Sequence, residues 1–185
     1  AHREFLRRAR ITHAMIGMLT AIPKTPLYDR LASVGRLDPS DVSEFGTNVI
    51  PLRMSREALR DGYVQELKDL YEPEACFGRV DDLYLKHNAP FFAGMRNYYR
   101  RYPARRLGGI VKDLSRTLGL FARLMRRVPE ASLRRQYRRR LARLLQKRPD
   151  PRLLFLYTVK CAMHYHHHTM ARQMAVGQSA LVNSF

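Results

Sequence analysis

Apolar residues recur at helical spacing between Leu107 and Val128, and this period limits the chain to structures that contain a long amphipathic helix. Most of the arginine and lysine residues of the stretch fall off the apolar face. Pro129 follows, and proline cannot continue a helix. The pattern therefore predicts a helix that buries one face and ends before Pro129. The apolar positions are Leu107, Ile110, Val111, Leu114, Leu118, Phe121, Met125 and Val128.

Prolines and a capping residue predict four more helices after residue 54. Ser55 is a good N-cap, because its hydroxyl can accept a hydrogen bond from a free amide of the first turn. In the last helix, Leu153–Val159 is apolar on nearly all sides, which predicts burial against several neighbours. The sequence therefore predicts a helical domain over 55–185, with helices at about 55–71, 73–87, 107–128, 130–147 and 152–175.

The first 54 residues show a different pattern. Residues 11–22 form an apolar run that contains a glycine and is closed by Pro23, which favours a buried strand over a helix. Pro26 can open a short helix that Gly35 ends. We therefore predict a strand and a helix within 1–36, and a connection over 37–54.

The positive charge is concentrated in the second half of the chain. Residues 1–95 hold 13 basic and 13 acidic side chains, whereas 96–185 hold 21 basic and 3 acidic ones, so the second half carries the whole net charge of +18. Arginine is densest over 134–143. Three interpretations stay open: a solvated face or one that docks to acidic domains, an anionic membrane surface, and, less favoured, a nucleic-acid backbone.

Cysteine content and the absence of long apolar runs indicate the compartment. Two cysteines, Cys76 and Cys161, make no disulfide framework and suit a reducing environment. Residues 1–10 are too charged for a signal peptide, and no uncharged run approaches a membrane span. We expect a cytoplasmic protein, with attachment to a membrane surface left open.

One group of residues has the spacing of metal ligands. Cys161, His164 and His168 fall on roughly one helical face, and cysteine and histidine are zinc ligands. The sequence around them offers no carboxylate or further cysteine to complete a site, so we favour a partly buried helix and predict no metal. Asp81 and Asp82 are adjacent, diverge on a helix, and are predicted to be solvated. The sequence contains no nucleophile motif, phosphate-binding glycine loop or other catalytic residue pattern.

Residues 18–37 read MLTAIPKTPLYDRLASVGRL, and this segment resembles radical SAM proteins that carry a cobalamin-binding domain. In that family it forms the last strand and the following helix of a partial (β/α) barrel, and a helical C-terminal domain of poorly understood role follows in one subgroup. Residues 48–52, the Gly62-Tyr63 pair and 70–73 are also similar to that subgroup. Lys24 departs from the pattern, because the family usually has glycine there, a residue that permits a positive φ.

The resemblance implies a C-terminal fragment: mainly α, with one severed β-strand and helix of the barrel (1–36), a linker (37–54) and a helical domain (55–185). The parent would carry a 4Fe-4S cluster, S-adenosylmethionine and cobalamin, for example as a methyltransferase. The cluster needs three cysteines in a Cys-x3-Cys-x2-Cys run, which two distant cysteines cannot supply. The resemblance implies that the backbone of Leu19, Thr20, Ala21 and Ile22 lies near S-adenosylmethionine; the alternative is that these residues only form barrel core, because apolar strand residues usually pack.

We therefore expect a non-catalytic accessory region that helps to cover the substrate side of the barrel, with no cofactor of its own. Its partners would be the upstream barrel and cobalamin domains of the same protein. The alternative function is a basic helical adaptor that docks to an anionic membrane surface or to nucleic acid.

Overall fold

The structure, a computed structural model, describes residues 2–38, 40, 46–86 and 94–176. Their backbone is mainly helical and contains no β-strand; an isolated antiparallel bridge joins Leu37 to Val49. The mainly α fold is therefore as predicted. The helices are α1 (His2–Arg8), α2 (Pro26–Ser33), α3 (Arg56–Leu70), α4 (Pro73–Asp81), α5 (Met95–Arg101), α6 (Pro103–Arg127), α7 (Ala131–Lys147) and α8 (Pro151–Ala175), with a π-helical turn at Asp82–Lys86.

Local sequence signals set most of these helix boundaries. The Ser55 hydroxyl accepts from the amide of Ala58 at 3.1 Å, so it caps α3 as predicted. The carboxylate of Asp150 accepts from the first two amides of α8. Proline opens α2, α4, α6 and α8, where its missing amide proton costs nothing. The predicted helix at 73–87 is α4 and the π-helical turn; residue 87 lies outside the described residues.

The strand predicted at 11–22 does not form. A strand requires a neighbouring strand to complete its hydrogen-bond ladder, and the described residues offer this segment none. The segment instead runs without regular secondary structure across α3, α4 and α8. The helix predicted after it is present as α2, and Gly35 ends that helix with a φ of 67°.

The last helix, α8, lies at the centre of the fold and contacts α3, α4, α6 and α7. Leu153, Tyr157 and Thr158 on it are almost fully buried, which confirms the predicted burial on several sides. Three hydrophobic clusters result. The first joins α4, α6, α7 and α8, and the second joins α1, α3, the start of α4 and the end of α8. The third is small and contains Ala21, Leu31 and Val49, with Leu27, Tyr28 and Leu37 at its edge.

The apolar face of α6 is only partly covered. At its C-terminal end the capping Val128 is completely buried in the first cluster, and Phe121 and Met125 pack against that cluster. Toward the N-terminus the same face opens to solvent, and Leu107 remains 65% exposed. The predicted helix is therefore correct, but its predicted burial holds only for its C-terminal half.

Candidate functional site

The segment 11–22 lies on the helical part of the chain with one side bound and the other side open. Ala14, Ile16 and Met18 pack against the second cluster. Between and beyond them, Met15 and Leu19 are 90% and 61% exposed. Alternation of this kind is typical of extended backbone, whose successive side chains point to opposite sides. The residues predicted to form a strand thus have a strand's two-sided pattern without a strand partner.

Side-chain donors from α3 and α4 hold the carbonyl groups of this segment. Each donor is mostly buried and comes from the face that carries the second cluster. The bonds fix the segment's path over the helices, because each one fixes both a position and an orientation. The three donor–acceptor pairs are Arg79 Nε with Ile11 O at 3.1 Å, Tyr71 Oη with Ala14 O at 2.6 Å, and Tyr63 Oη with Ile16 O at 3.1 Å.

Arg79 is the most highly connected of these donors. Its Nη2 donates to the carbonyl of Leu70 at 2.9 Å and its Nη1 to that of Ala75 at 3.1 Å, in addition to its bond to Ile11. The guanidinium therefore joins the end of α3, the start of α4 and the N-terminal segment. The rigid fork of five N–H donors suits arginine to this role, because it can serve several carbonyls at once.

Asn48 holds the far end of the segment. Its Oδ1 accepts from the amide of Ala21 and its Nδ2 donates to the carbonyl of Ala21, both at 2.8 Å. The Asn48 side chain thus gives Ala21 the pair of hydrogen bonds that a neighbouring strand would give. Thr47 donates to the carbonyl of Leu19, and Thr25 donates to that of Ile22 at 2.7 Å.

These contacts locate the four residues predicted to lie near S-adenosylmethionine. Both backbone polar groups of Ala21 are already bonded, and the carbonyls of Leu19 and Ile22 are too. The side chains of Leu19 and Ile22 are 61% and 66% exposed. Within the described residues, the backbone amides of 12–20 find no acceptor. The open side of the segment therefore offers amide donors together with exposed apolar side chains.

Beside this segment, three rings form a stack between the N-terminal segment and α8. Tyr71 stacks on His167 at 4.5 Å between ring centroids, and His13 lies 4.6 Å from His167. Burial, with the charges of His13 and His166 beside it, lowers the pKa of His167 to about 4. Burial, with the positive charge of Lys160 nearby, also lowers the pKa of His13. The stack is therefore held with neutral imidazoles.

His164 uses both ring nitrogens on protein groups. Its Nε2 lies 3.1 Å from the carbonyl of Tyr71, an acceptor, so Nε2 carries the proton and donates. Its Nδ1 then accepts from the hydroxyl of Tyr137 at 2.7 Å. Burial is the main cause that lowers the pKa of His164 to about 3. The imidazole is a buried hydrogen-bonding link between α3, α7 and α8.

The candidate metal ligands Cys161, His164 and His168 share a region of α8 but do not converge on one point. Cys161 is completely buried, and burial raises the pKa of its thiol. His168 lies with its ring stacked on His164 at 5.4 Å between centroids. In the part of the chain that the structure describes, no three histidine, cysteine or acidic side chains are placed to hold a metal ion.

The model of a family described as a domain of unknown function (DUF4070) matches residues 25–180. The chain belongs to the DUF4070 family. No curated protein and no solved structure matches it. The DUF4070 match begins at Thr25, which caps α2, and so covers α2 to α8.

The two cysteines of this DUF4070 domain do not fit an iron–sulfur cluster. Cys76 and Cys161 are both free and buried. Burial raises the pKa of Cys76 to about 11, so the thiol stays protonated at neutral pH, whereas a cluster needs thiolates. A four-iron cluster also needs three such ligands, and the sequence has two cysteines in all. The domain is thus unsuited to hold the cluster itself.

The polar contacts of Asp81 in the DUF4070 domain were not predicted from the sequence. Asp81 was predicted to be solvated, but its side chain is 14% exposed and lies among three partners. Tyr157 donates to its Oδ1 at 2.5 Å, and Arg140 and Arg143 approach its Oδ2 at 3.2 and 3.6 Å. The prediction was wrong because these partners come from α7 and α8, which no local pattern around Asp81 reveals. Asp82 forms ion pairs with Arg10 and Lys86 at 3.2 and 3.4 Å.

The arginine-rich helix α7 of the DUF4070 domain uses part of its charge internally. Arg134 donates to the carbonyls of Val128 and Pro129 between α6 and α7. Arg140 lies 4.5 Å from the centre of the Phe77 ring, in addition to its pair with Asp81. Arg135, Arg138 and Arg139 are exposed. None of the described helices combines the length and the apolar composition that a membrane span requires.

Proposed function

We propose that this chain is the C-terminal accessory region of a cobalamin-dependent radical SAM enzyme and helps to cover the substrate side of that enzyme's barrel. The four-iron cluster, S-adenosylmethionine and cobalamin would then belong to upstream domains of the same protein. The resemblance of residues 18–37 to the last strand and helix of such a barrel supports this function. Membership of the DUF4070 family is compatible with it.

The placement of residues 11–22 is the observation that carries the proposal. The helical domain binds one side of the segment through carbonyl groups and alternate side chains, and the other side presents Met15, Leu19 and Ile22 together with backbone amides. A barrel strand has this form when its neighbouring strands belong to another part of the polypeptide. The helical domain would then sit directly beside the barrel's last strand.

In this arrangement the chain supplies no reacting group. Its contribution is to hold the last strand through Arg79, Tyr71 and Asn48, and to place α3, α4 and α8 against that end of the barrel. The backbone of 19–22 would face S-adenosylmethionine only through groups that Thr47, Asn48 and Thr25 leave unbonded. We therefore assign the chain a positioning and covering role, without catalytic residues.

The reading frame upstream of Ala1 tests the assignment to a radical SAM enzyme. We expect it to encode a Cys-x3-Cys-x2-Cys run; a frame that lacks this run would contradict that assignment. Anaerobic reconstitution of the 185-residue chain should yield no stoichiometric iron and no formation of 5′-deoxyadenosine, because three clustered thiolates are missing.

Hydrogen exchange tests the docking. In the full-length protein, the amides of residues 12–20 should exchange at least about tenfold more slowly than in the 185-residue chain, because neighbouring strands would accept their hydrogen bonds. The amides of α8 serve as the internal control and should exchange alike in both. Equal exchange of 12–20 in the two proteins would contradict the barrel placement.

A further inference from the structure

The N-terminal half of α6 exposes a continuous apolar stripe. Leu107, Val111, Leu114 and Leu118 are 65%, 66%, 39% and 68% exposed. Their spacing of four, three and four residues places them within an arc of about 60° around the helix, over a length of about 16 Å. Single exposed apolar side chains are ordinary, but four aligned ones form a surface suited to an apolar environment.

The stripe is the part of the predicted apolar face of α6 that the described core leaves uncovered. Thr117 and Leu124 are the buried residues of this helix, and their direction lies about 100° around the axis from the stripe. Residues of the described core do not reach the stripe, since its four side chains keep between 39% and 68% of their surface. The stripe therefore points away from the first cluster.

The charge on α6 is predominantly positive. The helix carries seven basic residues and one acidic residue, Asp113. Arg152 of α8 pairs with Asp113 at 3.4 Å, so that carboxylate is already neutralised inside the fold. Arg105, Lys112 and Arg116 are exposed on the side of α6 opposite to the stripe. Any large partner of this surface must therefore tolerate or attract positive charge.

Aromatic residues with polar ends lie at the N-terminal end of α6. Tyr98 and Tyr102 are 38% and 48% exposed. Arg105 donates to the Tyr98 hydroxyl at 2.6 Å and lies 5.5 Å from the centre of the Tyr102 ring. Tyrosine and arginine of this kind suit a boundary between water and an apolar phase, because each has an apolar body and a polar tip.

We propose that α5 and the N-terminal half of α6 form a docking surface for an anionic membrane, with Leu107, Val111, Leu114 and Leu118 inserted at the interface. Basic helices with an apolar stripe bind in the plane of such an interface through apolar burial and attraction to anionic lipids. A second copy of the chain fits less well, because two chains of net charge +18 repel each other. A nucleic-acid backbone would attract the arginines but gives the leucines no apolar environment.

A single-tryptophan reporter tests the location of the contact, since the chain contains no tryptophan. The Val111→Trp variant is compared with Leu52→Trp, which lies at another exposed apolar position, 75% exposed. With phosphatidylcholine vesicles that contain phosphatidylserine, we expect a blue shift and quenching by brominated lipid chains for Val111→Trp only. No shift for Val111→Trp, or the same shift for both variants, would overturn the proposal.

Vesicle sedimentation tests the energetics. Leu107→Ser with Leu118→Ser should weaken binding to the anionic vesicles at least about tenfold, because both side chains lose their apolar burial at the interface. The matched control, Arg135→Gln with Arg138→Gln and Arg139→Gln on α7, should change binding less than the serine pair does. Equal losses for the two sets, or equal binding to neutral and anionic vesicles at low salt, would overturn the proposal.

Two further outcomes identify the rival partners. Concentration-dependent self-association without lipid that the serine pair abolishes would replace the membrane with a second copy of the chain. If duplex DNA displaces the chain from vesicles, and the serine pair leaves binding to DNA unchanged, the basic surface is assigned to nucleic acid. Either result would overturn the membrane assignment of the stripe.

Discussion

The hydroxyl of Tyr157 donates a hydrogen bond of 2.5 Å to Oδ1 of Asp81, a residue 76 positions earlier in the chain. Burial, together with the neighbouring carboxylate, raises the pKa of Tyr157, so the hydroxyl remains a donor throughout the physiological pH range. Oδ2 of the same carboxylate accepts a hydrogen bond from Nη1 of Arg140 at 3.2 Å. One acidic side chain therefore joins the end of α4 to both α7 and α8.

Asp81→Asn should lower the free energy of unfolding by about 2 kcal/mol, because it removes the charge that Tyr157 and Arg140 share in a partly buried site. Urea unfolding followed by circular dichroism measures the loss. Asp82→Asn is the control: its pairs with Arg10 and Lys86 are more exposed, and its cost should stay below about 1 kcal/mol. Equal costs at the two positions would mean that the Asp81 network contributes no more than a surface pair.

Arg79→Met should lower the free energy of unfolding by about 2 kcal/mol, since it leaves carbonyls of Ile11, Leu70 and Ala75 without their charged donor. It should also release the N-terminal segment, seen as faster proteolysis within residues 9–20. Arg60→Met, at an exposed position of α3, is the matched control and should leave both measurements nearly unchanged. Unaltered proteolysis in Arg79→Met would show that the segment is held by other contacts.

Local signals allowed most of the helices to be predicted from the sequence, although α5 was not. Ser55 and the prolines at 26 and 73 act within one turn of their own positions, so their effect on the backbone does not depend on the rest of the fold. The burial of Leu153–Val159 was also predictable, because apolar residues on all sides of a helix require neighbours on several sides.

The polar contacts around the N-terminal segment could not be predicted in the same way. Arg79 and Asn48 donate hydrogen bonds to backbone carbonyls 68 and 27 positions away. Every residue type has a backbone carbonyl, so the sequence does not show which carbonyl is the acceptor. The two halves of α6 illustrate a second limit. Leu107 and Val128 belong to the same predicted apolar face, but Leu107 is exposed and Val128 is fully buried, because only tertiary packing decides which part of the face is covered.

Lys24→Gly should stabilise the chain by about 0.5–1 kcal/mol. Lys24 has a φ of 65°, a region in which a side chain is strained and glycine is not. Gly35→Ala is the converse test: Gly35 has a φ of 67° and open space around its α-carbon, so alanine there should cost about 1 kcal/mol from backbone strain alone. Thermal unfolding measures both. A destabilised Lys24→Gly variant would indicate that the lysine side chain contributes more than its backbone strain costs.

Acid should destabilise the fold through the buried histidines. His164 and His167 have pKa values lowered to about 3 and about 4, against 6.5 for an unburied histidine. Between about pH 6.5 and pH 4 the unfolded chain binds protons that the native chain does not, so stability falls as the pH falls through this window. Urea midpoints at pH 7.5, 6 and 5, at constant ionic strength, should decrease in that order.

His167→Phe keeps a ring against Tyr71 and removes one titrating group, so its midpoint should depend less steeply on pH. His166→Gln, which removes the neighbouring ring outside the stack, should flatten the dependence less. If the two variants keep the full pH dependence of the parent chain, the acid sensitivity arises elsewhere, for example from repulsion among the basic side chains.

The double hydrogen bond between Asn48 and Ala21 closes the intervening chain into a non-covalent ring that contains α2. Among the described residues, the small third cluster supplies the packing inside this ring, whereas α8 is buried among four helices. The described part of the ring is therefore expected to open more readily than α8. Motion of α2 relative to the helical domain would have to break the Leu37–Val49 bridge and the ion pair between Asp38 and Arg56 as well as the bonds of this side-chain amide.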